Sequence, residues 1–128
     1  MRWLKIVLAI NGVLYLFYAA SNMVAPTSYF LPADAPGYAV DVTRVLAVAY
    51  LALGLIQIGT WMVTDRLAVR LVAGASLVYA AGFAILGVTV GTGSSDPFHQ
   101  IGLIAGIGNG VVAVLYAFLL YRERSAAA

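Results

Sequence analysis

Asn11, Tyr15, Tyr18 and Asn22 follow one another at spacings of 4, 3 and 4 residues. On a helix turning about 100° per residue they fall within roughly 60° of one another, so an otherwise apolar stretch carries one polar face. Amides left unpartnered in hydrocarbon cost several kcal/mol each, which turns that face towards other helices. Tyr50, Gln57, Tyr79, Asn109 and Tyr116 extend the same chemistry along the chain. A tyrosine offers a polar tip on an apolar body, so Asn11, Tyr15, Tyr18, Asn22, Tyr50, Gln57, Tyr79, Asn109 and Tyr116 are candidate lining for a narrow pocket. Such a pocket suits an amphipathic ligand, for example a quinone or isoprenoid head. For any one of these residues the plainer reading is a hydrogen bond between helices, contributing about 0.6 to 2 kcal/mol.

The ionisable groups outside the basic termini are Asp34, Asp41, Arg44, Asp96 and His99. Arg44 stands near a helix start, where a cation opposes the helix dipole and calls for compensation. Asp41, Asp34 or a lipid phosphate could supply it. Alternatively Arg44 and His99 form a site for an anionic or polar substrate head, with Asp41 or Asp96 setting the protonation of the imidazole. On that reading Asp41 and His99 are the catalytic candidates for acid–base chemistry on a lipophilic substrate, of the isomerase or cyclase kind. No zinc-binding His-Glu-x-x-His run, phosphate loop or serine elbow occurs, and no metal site is expected. The absence of cysteine excludes disulfides, thiolate metal sites and iron–sulfur clusters, and the single histidine excludes a bis-histidine haem. No carboxylate falls inside a span, which argues against a proton-coupled multidrug exporter.

The elements that position these residues follow from composition. With 63% hydrophobic and 9% charged residues and a mean hydropathy of +0.98, the chain is far from the roughly one quarter charged residues of soluble domains. Residues 1–128 read as a single transmembrane domain, and a net charge of +2 from so few groups implies no nucleic-acid partner. Trp3 to Val24 is the first span; its basic start resembles a signal peptide, but the run exceeds a signal core of about 7 to 15 residues. Ala25 to Val40 contains Pro26, Pro32 and Pro36, which forbid a continuous helix. It reads as an interfacial segment with Tyr29 and Phe30 at headgroup depth and a short helical turn.

Asp41 is placed to cap a second span, Val42 to Val63, along which Thr43, Tyr50, Gly54, Gln57 and Trp61 form one stripe. Thr64-Asp65-Arg66 leads to the third span, Leu67 to Val90, and so short a link implies antiparallel neighbours. Gly91 to Gln100 is a polar loop before the fourth span, Ile101 to Tyr121. Arg122 to Arg124 end that helix and Ser125 to Ala128 form a frayed tail. The expected fold is all-α, an integral membrane antiparallel four-helix bundle. Six of the seven basic residues fall on one side, which the positive-inside rule makes cytoplasmic, with both termini inside.

Gly102, Gly106 and Gly110 recur every fourth residue, a pattern that lets another backbone approach closely. Packing within the bundle, against the first or second span, is favoured over a homodimer seam. Gly54, Gly59, Gly74 and Gly82 suggest further close crossings. If the fourth helix starts a turn early, His99 shares a face with Gly106 and lies near that of Asn109. At about 1.5 Å of rise per residue, Asn11 and Gln57 lie at one level and Asn109, Tyr50 and Tyr18 at another.

The second-span string DVTRVLAVAYLALGLIQIG, with Arg44 near its start followed by Tyr50-Leu51-Ala52-Leu53-Gly54 and preceded by a proline- and aromatic-bearing segment, resembles the DoxX-like group of small four-helix bacterial membrane proteins. The resemblance implies a multi-pass protein of the bacterial inner (cytoplasmic) membrane. It also implies a quinone-side or accessory role beside a membrane complex. It transfers no catalytic residue. Three functional expectations result: an accessory or lipophilic-ligand-binding module, an acid–base enzyme using Asp41 or His99, and an oligomeric channel or carrier lined by Asn11, Gln57 and Asn109.

Overall fold

Prolines and glycines set where the helices of this chain begin and how closely they approach. The computed structural model describes residues 1–29 and 31–125, except for the side chains of residues 28, 29, 97 and 98. The elements are α1 (Arg2–Val24), α2 (Pro26–Tyr29), α3 (Gly37–Gly59), α4 (Arg66–Gly91) and α5 (Pro97–Ser125). Four helices, α1, α3, α4 and the His99–Ser125 part of α5, are long and apolar enough to cross a membrane. The protein is therefore all-α, with four long apolar helices compatible with a four-helix bundle.

The Ala25 N–H bonds the Ser21 carbonyl at 2.9 Å and closes α1. Pro26 then opens α2, a first-turn position that needs no N–H, so the expected short helical turn is present. Tyr29 and Phe30, expected at headgroup depth, lie outside the described residues, Tyr29 in its side chain alone. Pro36, at φ −58° and ψ 146°, directly precedes α3 without a side-chain cap, and its carbonyl accepts from Ala39 at 2.9 Å and Val40 at 3.3 Å. Asp41 is consequently inside the helix and is not its N-cap. The last proline ends the restriction on the backbone, and nothing in Gly37–Val40 delays helix formation until Val42.

α3 also stops earlier than expected, in a turn where Trp61 N–H bonds Ile58 and Met62 N–H bonds Gly59, each at 3.0 Å. Trp61 therefore leaves the helical stripe and is exposed. Asp65 is a capping aspartate, its carboxylate accepting from the Leu67 N–H at 2.8 Å at the start of α4. α5 starts at Pro97 and so takes in His99 and Gln100. At its other end it runs through Arg122–Arg124 to Ser125, because two cations in a last turn complement the helix dipole. The expected tail 126–128 lies outside the described residues.

Contacts group the chain into two compact units, Ile6–Met62 and Met1–Lys5 with Val63–Ala128. In the first, α1 and α3 run antiparallel and cross at Gly12 and Gly54. A Cβ on Gly12 would meet the Gly54 carbonyl oxygen at 2.8 Å, and one on Gly54 would meet the Gly12 oxygen at 2.8 Å. Each glycine thus points a Cα hydrogen at the other's carbonyl, a contact that only a missing side chain permits.

In the second unit, α4 and α5 form an antiparallel hairpin. A Cβ on Gly87 would lie 2.5 Å from the Gly102 oxygen and 2.8 Å from the Gly106 Cα, and one on Gly91 would lie 2.4 Å from the Leu103 Cβ. The fourth-span glycine row was expected against the first or second span, yet at Gly106 the observed neighbour is the third. Gly59, Gly74, Gly82 and Gly102 would each meet nothing within 4 Å. The close approaches are therefore carried by Gly12, Gly54, Gly87, Gly91 and Gly106. At the end where α4 begins and α5 finishes, the N-terminal ammonium pairs with Glu123 and Lys5 Nζ donates to the Val63 carbonyl at 2.6 Å.

Burial runs opposite to that of a water-soluble protein. Asn11, Asn22, Thr43, Gln57, Thr60 and Ser76 are buried together with small residues such as Ala19, Ala47, Ala73, Ala80 and Ala113. Large apolar side chains point outward: Phe17 is 62% exposed, Val45 70%, Val78 73% and Val114 71%. Small and polar residues inside with aliphatic residues outside is the distribution that hydrocarbon solvent selects. The chain is a small multi-pass membrane protein.

Candidate functional site

The polar face expected on α1 is observed as a buried stripe. Leu4, Leu8, Asn11, Tyr15, Ala19 and Asn22 are buried, while Trp3, Ile10, Val13, Phe17 and Met23 are exposed. Tyr18 sits at the margin, 37% exposed. On α3 the buried set is Thr43, Ala47, Gly54 and Gln57, with Tyr50 half-buried beside them. The Gly12–Gly54 crossing registers these two stripes. It brings the Gln57 Cβ to 3.2 Å from where a Gly12 Cβ would stand, one residue from Asn11, as the depth arithmetic expects.

Just beyond the crossing three tyrosines meet. The Tyr15 and Tyr50 rings stack with centroids 5.8 Å apart and planes within 8°, and Tyr18 approaches Tyr50 at 6.3 Å with a tilt of 52°. Parallel offset rings and a tilted third ring are favourable π geometries, each pair worth about 0.5 to 1.5 kcal/mol beyond burial. Tyr15 forms the buried floor of this cluster, and Tyr18 and Tyr50 keep accessible ring surface. The cluster presents flat apolar ring faces beside the crossing of α1 and α3.

The amides behave differently from interhelical glue at two positions. Asn22 Nδ2 donates to the Tyr18 carbonyl at 2.8 Å, and Asn109 Nδ2 donates to the Ala105 carbonyl at 2.9 Å. Both are bonds to the preceding turn of the same helix. Thr43 and Ser76 do likewise, towards Ala39 at 2.9 Å and Val72 at 2.9 Å.

Of the remaining candidates, Tyr79, His99, Asn109 and Tyr116 belong to the α4–α5 unit. Tyr116 is fully buried, Asn109 half-buried, and Tyr79 is half-buried with its ring 6.1 Å from that of Phe83 one turn on. His99 is exposed, and its Nδ1 lies 2.6 Å from the Ser94 hydroxyl. The same hydroxyl accepts from the Asp96 N–H at 3.1 Å, while Gln100 Nε2 donates to the Ser94 carbonyl at 2.6 Å. Ser94 thus organises the α4–α5 turn, a role that sequence reading did not give it.

Arg44 and Asp41 form the expected pair, at 3.8 Å with both side chains largely exposed. An ion pair so open to solvent contributes little. No protein-family model, no curated protein and no solved structure matches the chain.

Residues that sequence reading missed are the ones that set distances. Gly12 belongs to no small-xxx-small row, so no motif marks it. The available signal was its position inside a helix, where glycine costs about 1 kcal/mol and so implies a packing reason.

Proposed function

We propose that the protein is an accessory or ligand-binding module of the bacterial inner membrane, related to the DoxX-like group, that holds a quinone or similar lipophilic molecule against Tyr15, Tyr18 and Tyr50. The observation that carries the reading is the tyrosine cluster itself: a buried ring, two accessible rings and a backbone crossing that fixes their separation. A ring system laid on Tyr50 gains stacking, and the phenols of Tyr18 and Tyr50 are hydrogen-bond donors for its carbonyl oxygens. Asn11 and Gln57, buried around the crossing, give the same region its polarity. Both termini are cytoplasmic in this reading, supported by the basic residues gathered around the Met1–Glu123 and Lys5–Val63 contacts.

The acid–base alternative finds less support. Asp41 is exposed and engaged with Arg44, and His99 is exposed against Ser94, so neither has the desolvated setting that tunes a catalytic group.

The test is native mass spectrometry of protein gently extracted from its own membrane, with analysis of the lipids and quinones that leave with it. A stoichiometric prenyl quinone or isoprenoid is expected, lost in Tyr50→Leu and weakened in Tyr18→Phe. A ligand-free chain that co-purifies with a larger complex would instead make the tyrosines structural and the protein an accessory subunit only.

A further inference from the structure

The α4–α5 unit carries a recess, remote in sequence from the tyrosines. It is an open groove of about 630 Å³ between the start of α4 and the end of α5, walled by Leu71, Leu77 and Leu120 and bearing Tyr121, Arg70 and Arg124. Gly74 lies in the groove, and a Cβ there would meet nothing within 4 Å, so the helix surface is open at that point. Leu71 and Tyr121 are 65% and 71% exposed.

The charges at this end do not balance. The unit contains the carboxylates Asp65, Asp96 and Glu123 against the cations Arg2, Lys5, Arg66, Arg70, Arg122 and Arg124. Asp65 spends its carboxylate on the Leu67 N–H, Glu123 takes the N-terminal ammonium, and Asp96 lies at the opposite end of the hairpin, between α4 and α5. Among the described residues neither Arg70 nor Arg124 is in an ion pair. Two unpaired guanidiniums therefore stand over an apolar groove at the end of membrane-length helices, where the headgroup layer meets the hydrocarbon.

We propose that this groove is a binding site for one anionic phospholipid, with the phosphate held by Arg70 and Arg124 and an acyl chain laid along Gly74. Arginine presents several N–H donors in a plane that matches two phosphate oxygens. The leucine walls suit a methylene chain, and the gap at Gly74 gives it depth. An apolar helix would bring no charge to answer the two arginines, whereas an anionic lipid supplies both parts. The site rests on the membrane reading of the chain and is independent of the tyrosine cluster.

The experiment uses the full chain reconstituted in vesicles of phosphatidylcholine and phosphatidylglycerol in equal amounts, floated on a density gradient, then released into the gas phase for native mass spectrometry. The expected result is one phosphatidylglycerol retained per chain after other lipids are stripped. Retention should fall about tenfold or more in R70Q/R124Q, stay unchanged in the charge-matched R2Q/R122Q, and fall in Gly74→Leu, which keeps both arginines and fills the groove. Equal retention in R70Q/R124Q and R2Q/R122Q, equal retention of phosphatidylcholine, or a dimer mass in place of the lipid adduct would each overturn the site. Failure of the protein to float with the vesicles would overturn the membrane reading as well, whereas flotation without a retained lipid overturns the site alone.

Discussion

A single methyl group sorts the glycines of this chain into two kinds. At Gly87 it would strike the Gly102 oxygen and the Gly106 Cα, both backbone atoms that cannot swing aside. At Gly82 it would meet nothing within 4 Å. Gly87→Ala should therefore destabilise the protein by about 1 to 3 kcal/mol as the hairpin is forced apart. Gly82→Ala should be neutral or stabilise by about 0.5 to 1 kcal/mol, because alanine has less backbone freedom to lose. Unfolding midpoints in mixed detergent micelles read the difference, and equal midpoints for the two variants would contradict the crossing. Asn109 is a milder case. Its amide donates to Ala105 of its own helix, so Asn109→Leu should change the same midpoint by no more than about 1 kcal/mol.

Among the helices, the two candidate aspartate caps make opposite predictions. Asp65 accepts from the Leu67 N–H, so Asp65→Ala should cost about 1 kcal/mol and speed hydrogen exchange at the first amides of α4. Asp41 lies within α3 and faces Arg44 at 3.8 Å in the open. Asp41→Ala should leave the α3 start protected and cost at most a few tenths of a kcal/mol. The same contrast shows what the sequence could reveal. The membrane-length runs and the α1 stripe were legible because hydrophobic length and helical spacing are local properties. The start of α3 is not legible from a capping residue, because Pro36 itself ends the turn and releases the helix at Gly37, four residues before Asp41. The partner of the Gly106 row was illegible, since a small-residue pattern says that a backbone comes close without saying whose. For the same reason Gly12, a single glycine opposite another, carried no readable pattern, whereas Gly87 and Gly91 stand at four-residue spacing and were open to reading as a close-approach pair; the tyrosine cluster was legible as a stripe but not as a stack.

For the molecule as a whole, the membrane character rests on an inversion: amides, hydroxyls and alanines join a few large side chains such as Leu4, Leu8 and Tyr116 inside, while most large aliphatic and aromatic residues lie outside. Water would expel such a surface and hydrocarbon accepts it. The chain contains no cysteine, so single cysteines can be introduced and labelled without removing any native residue. The most direct test places a nitroxide label in turn at outward Phe17, Val78, Val111 and Val114 and at buried Ala73 and Ala113, in protein reconstituted into vesicles, and measures collision with oxygen and with a water-soluble nickel chelate. The inside-out distribution predicts high oxygen and low chelate collision at the four outward positions, and low collision with both at the two buried alanines. Chelate access at Val78, Val111 or Val114 as great as that of a label in free solution would contradict it.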